Sequence, residues 1–112
     1  MTFLRSLIIC LVLVSVSHTS FAQGPTEQDC RTLYELAEQA MEHRQKGGSL
    51  IVALNGIDQM REEHTSALEI WYLDILEAMY RSAFEVPIHY QDRRQNSEIR
   101  SFAQYWYHLC RE

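Results

Sequence analysis

Beyond its first 22 residues the chain has no apolar run long enough to cross a bilayer, only two cysteines, one lysine, and no stretch that alternates polar with apolar residues. A membrane-spanning helix needs about 20 predominantly apolar residues, so none is expected there. The lack of alternation excludes half-buried strands, and with them a sheet. Basic side chains are few: 15 acidic residues face 10 basic ones, and one of the ten is Arg5. An acidic chain without a basic face is not built for nucleic acid, and anionic lipid does not attract it. With only two prolines and four glycines there is no linker, low-complexity tract or internal repeat.

The chemical absences are as informative. His43, His64, His89 and His108 never fall at H-x-x-H or H-E-x-x-H spacing. No helix face therefore offers a pair of imidazoles to a metal. There is no G-x-S-x-G elbow, and Gly47-Gly48 lacks the lysine-hydroxyl pair of a phosphate loop. Glu35, Glu38 and Glu42 are spaced like a solvated helix face rather than a buried acid/base pair. Arg93, Arg94 and Arg100 likewise read as a solvated face. No catalytic residue, metal ligand or cofactor is expected, and the chain is read as non-enzymatic.

What is present begins with a secretory leader. Arg5 supplies the positive start, Leu7–Val16 the apolar run, and Ser20-Phe21-Ala22 the small residues before a cleavage point. Residues 1–22 are read as a signal peptide and residues 23–112 as a single helical domain. Cys10 lies early in the apolar run and follows Ile9 rather than a small residue, so it is read as discarded with the leader, leaving no membrane anchor. Cleavage removes Arg5 and no acidic residue, which takes the formal charge from −5 to −6. The expected location is periplasmic or secreted.

Two cysteines then remain, Cys30 and Cys110, and in an exported chain they are expected to pair. In the chain-entropy view a loop of that length is worth roughly 4–5 kcal/mol.

Helical spacing accounts for the rest. Thr26 with Asp29 reads as a capping box for a first helix that ends at Gly47-Gly48. Ser49 caps a second helix running to about Arg61, although Asn55-Gly56 also suits a turn. Thr65 or Ser66 opens a third helix that runs toward Glu85 ahead of Pro87. Asp92 with Gln95, or a later start at Ser97, opens a fourth that carries Cys110. The fold expected is all-α: a compact bundle of about four helices, first and last antiparallel and joined by the disulfide.

The third helix carries two apolar stripes. Leu68, Trp71, Tyr72, Ile75 and Met79 make one, and Ile70, Leu73, Tyr80 and Phe84 the other. A helix apolar on two sides is either central in its bundle or part of an interface. The second stripe is the expected contact surface for a protein partner or a second copy.

Cys30, Met41-Glu42 with Arg44-Gln45 and Gly47, Ala83-Phe84-Glu85 with Pro87, Phe102, and Tyr107 with Cys110 resemble an uncharacterised family. Its members are small exported two-cysteine helical proteins of Gram-negative bacteria and phages. The resemblance spans nearly all of residues 23–112. It departs at Phe84, where the family has Tyr, and at Ile88, where the family has Arg. It implies export and a helical domain with one disulfide, and transfers no activity. Size and compartment add two looser analogies. One is to periplasmic immunity proteins, the other to acid-stress chaperones of the HdeA type. The function expected is binding or protective, in the manner of an immunity or inhibitor protein, with the chaperone as the alternative.

Overall fold

The computed structural model describes residues 24–112; the expected leader and its cleavage point lie outside the described residues. Four helices follow in order: α1 Glu27–Gln45, α2 Leu50–Glu63, α3 Ala67–Ala83 and α4 Asp92–Arg111. No strand occurs among the described residues. No described helix is long and apolar enough to cross a membrane.

Local chemistry sets most of the boundaries. The Thr26 hydroxyl accepts the Asp29 N–H while the Asp29 carboxylate accepts the Thr26 N–H, closing the expected box. α1 ends in a Schellman arrangement, with the Gly48 N–H on the His43 carbonyl and the Gly47 N–H on the Arg44 carbonyl. Gly47 sits at φ +79°, where a side chain is disfavoured. Gly48 is required for another reason: the His43 ring lies over it and would overlap any Cβ placed there. Ser49 and Ser66 cap α2 and α3 through the Val52 and Glu69 N–H groups. α2 runs through Asn55-Gly56 to Glu63, because Ile57 behind that pair is buried.

The start of α4 departs from expectation. Asp92 is its first residue, and no side chain caps it. The Gln95 amide points away and donates to the Gln45 and His89 carbonyls. Those half-buried carbonyls need donors more than an exposed helix end does, so tertiary pairing overrides the local box.

α1 is the common wall of the bundle. Leu33, Ala37 and Ala40 on α1 meet Met79 of α3 and Ala103 of α4, all at most 2% exposed. The alanines admit close helix approach, and Trp71, Tyr72, Phe102 and Trp106 fill the space around them. α4 lies antiparallel to α1, with the Cys30–Cys110 bridge at one end (Cα–Cα 5.5 Å) and Gln95 on Gln45 at the other. α3 runs parallel to α1, from Tyr72 beside Asp29 to Tyr80 beside His43. α2 packs chiefly on α3. Arg61 reaches Asp74 at 2.7 Å and Glu77 at 3.6 Å, which places α2 over the side of α3 that carries Leu73.

Candidate functional site

The position of α2 corrects the expected contact surface. Leu73 is only 6% exposed. Tyr80 and Phe84 are half-buried around the His43 ring, with ring centroids 5.7 and 6.0 Å away, and the Arg44 guanidinium lies over Phe84 at 5.0 Å. Only Ile70 of the four is exposed. α3 is thus apolar on two sides because α1 covers one, Tyr80 and Phe84 included, and α2 covers the side at Leu73.

Other exposed apolar side chains include Ile51 and Val52 on α2 and, elsewhere on α3, Leu68. Leu68, assigned by periodicity to the core stripe, is 42% exposed. With Trp71, Gly24, Pro25, Thr26 and Asp29 it lines a cavity of about 470 Å³. A second cavity of about 250 Å³ shares Pro25 and Trp71 and adds Leu33, Ile75, Trp106 and Leu109. The two form one groove at the disulfide end. Its walls are α3 and α4, and its floor is α1. α3 and α4 both lean on α1 but scarcely approach each other through their backbones. In a square four-helix bundle a helix would occupy the corner between them; α2 takes the far side of α3 instead.

Both tryptophans of the chain, Trp71 and Trp106, stand on these walls. The Trp106 indole N–H is buried without a hydrogen-bond partner among the described residues. Leu109, at the rim, is 44% exposed.

Two acid–phenol contacts hold this end together. The Tyr72 hydroxyl donates to Asp29 at 2.5 Å, tying α3 to the first turn of α1. That bond, followed by the Thr26 N–H, lowers the Asp29 pKa. Burial first, and then Asp29, push the Tyr72 phenol up to about 12. The Tyr107 hydroxyl donates to Glu27 and is the main cause of its lowered pKa, with Arg111 and Arg31 nearby. Glu69, at the head of α3, is lowered by Ser66 and then by His64.

The opposite end holds the Arg44-Gln45 pair. Gln45 is the one buried polar residue among those described. Its amide donates to the Pro87 carbonyl at 2.9 Å and its oxygen accepts the His89 N–H at 2.8 Å. The Arg44 Nε donates to the Val86 carbonyl at 2.9 Å. Two adjacent residues at the end of α1 thereby pin the α3–α4 loop.

The four described histidines do not converge. His43 meets the Ser49 carbonyl, His64 pairs with Glu69, His89 lies 3.6 Å from Glu98, and His108 sits against Tyr107. The groove escaped the sequence because helical periodicity reveals that α3 has two apolar faces, not which one a neighbour covers. The Arg61 pairing with Asp74 and Glu77 was the usable signal. The chain matches no family model, no curated protein and no solved structure.

Proposed function

We propose that the chain is an exported, non-enzymatic binding protein of the inhibitor or immunity kind, which captures a basic amphipathic helix of a protein partner in the groove between α3 and α4. The observation that carries this proposal is the bundle corner that no described helix fills, walled by Leu68, Trp71 and Ile75 on α3 and by Trp106 and Leu109 on α4. An amphipathic helix lays its apolar face into such a groove through residues at i, i+3, i+4 and i+7. Asp29 in the groove and Glu112 beside it favour a basic occupant. The acidic net charge favours its capture at a distance. The disulfide suits an oxidising, extracytoplasmic compartment.

Because the chain's two tryptophans line the groove, its own emission reports occupancy. Titration with a leucine–lysine peptide of helical apolar spacing is expected to shift tryptophan emission saturably. A peptide of the same composition with scrambled spacing should leave it unchanged. Leu68→Ser together with Leu109→Ser, both at partly exposed positions, should weaken binding about tenfold. An unmoved emission spectrum, or equal binding of both peptides, overturns the proposal.

A second reading has its own support. The ties of Asp29 to Tyr72 and of Glu27 to Tyr107 work only while the carboxylates are ionised. Carboxyls with lowered folded-state pKa values add stability above the unfolded value, near 4 to 4.5, and lose it as pH falls through the folded value. In acid, α3 would loosen from α1 while the disulfide keeps α4 in place, widening the groove as an acid-stress chaperone requires. The melting temperature is expected to fall below about pH 4, and a hydrophobic dye to bind there and not at pH 7. Tyr72→Phe should flatten the acid limb. A melting temperature level down to pH 3, with no dye bound, removes this reading.

A further inference from the structure

We propose that the α3–α4 loop and the first turns of α4 form a second docking surface, for an acidic segment of a protein partner. This surface lies at the end of the bundle remote from the groove and stands independently of it.

Tyr90 is the most exposed large hydrophobic side chain among the described residues, at 95%. Nothing among the described residues covers its ring, yet the loop that carries it is held. Arg44 fixes Val86, Gln45 fixes Pro87 and His89, and Gln95 fixes His89 again. An aromatic ring presented on a pinned backbone loses little conformational entropy when a partner covers it. Tyr and Arg are also the side chains that most often dominate binding energy at protein interfaces.

The charges point the same way. Arg31, Lys46, Arg61, Arg81 and Arg111 each pair with a carboxylate, and Arg44 is committed to the loop. The other arginines among the described residues are Arg93, Arg94 and Arg100, all exposed and without an ion pair there. All three lie along the first half of α4, and Arg94 is the one that lines a recess with Tyr90. The positive end of the α4 dipole lies here too, with no side-chain hydrogen bond capping it and Asp92 in its first turn. A recess of about 440 Å³ there is lined by Ile88, His89, Tyr90, Gln91 and Arg94.

The fitting partner is a short carboxylate-bearing segment rather than an extended anionic plane. Guanidinium groups match carboxylates in two-point hydrogen bonds. A membrane surface would also meet the exposed Glu85 and Asp92 and the net negative charge of the chain, all of which repel it. A narrow segment meets less of that repulsion than a plane does, although Asp92 stands next to Arg93.

The test uses the oxidised protein and a fluorescein-labelled peptide of six glutamates at low salt, read by anisotropy. Saturable binding is expected, weakened about tenfold by Arg93→Glu with Arg94→Glu and several-fold by Tyr90→Ala. Arg81→Glu and Tyr105→Ala, at exposed positions elsewhere, should leave binding unchanged. All four variants should keep the parent's circular dichroism melt, since none of these side chains is buried. The proposal is overturned if the peptide does not bind, if Tyr90→Ala has no effect, or if Arg81→Glu weakens binding as much as the paired reversal. Tighter binding to phosphatidylglycerol vesicles than to the peptide also overturns it, in favour of a lipid surface.

Discussion

Reduction of the Cys30–Cys110 bridge is expected to lower the melting temperature by roughly 20 °C or more. The bond joins residues 80 apart in sequence, so it closes nearly the whole described chain. A loop that long limits the unfolded ensemble by roughly 4–5 kcal/mol in the chain-entropy view. Small domains have only about 5–15 kcal/mol in total. The core is also modest: the fully buried large side chains are Leu33, Met41, Ile57 and Met79. Little else holds the first turn of α1 to the last turn of α4, where the Tyr107–Glu27 and Arg111–Glu27 contacts are exposed and individually weak. Thermal melts with and without reductant, and of Cys30→Ser with Cys110→Ser, measure the effect. Superimposable curves would show that packing alone suffices.

Gln45→Leu is expected to cost roughly 3 kcal/mol, or about 15 °C in melting temperature. Leucine fills similar space but strands the Pro87 carbonyl and the His89 N–H, which Gln45 now satisfies. Stranded, partly buried backbone groups cost about 1–3 kcal/mol each. Gln45→Glu separates the polar contribution from the packing one. It keeps an acceptor for His89 but sets a carboxylate against the Pro87 carbonyl in a buried site. Burial raises the pKa of the new carboxyl, so its protonated form is favoured in the fold. Its stability should therefore lie closest to the parent's at low pH and fall away as pH rises above about 4.3. Urea melts at pH 4 and pH 7, each referred to the parent protein, read this out. A Gln45→Leu protein that melts like the parent would mean that the loop is held by other contacts.

Helix starts at Thr26, Ser49 and Ser66 were legible because each depends on a side chain bonding three residues ahead. The stop at Gly47-Gly48 was legible because it needs a positive φ. The disulfide followed from having only two cysteines outside the leader. The start of α4 was not legible as written, because Gln95 bonds to Gln45, 50 residues away, in preference to its own helix end. The roles of the two α3 faces were not legible either. Leu73 and Leu68 belong to equally apolar stripes, and what buries one and exposes the other is the placement of α2. Arg44, Gln45 and the Ala83–Pro87 turn stood out in the sequence as parts of a resemblance. Only their meeting in space assigns them a task, that of fixing the loop that carries Tyr90.

The bridge also brings both boundaries of the described chain to the groove. Gly24 and Pro25 line its mouth, and Glu112 lies beside them. A purification tag, a reporter or a surface linkage added after Glu112 would crowd that mouth. A bait immobilised through its C-terminus would therefore display Tyr90 and conceal Trp71, and partner screens should anchor the protein through an engineered site on α2 instead.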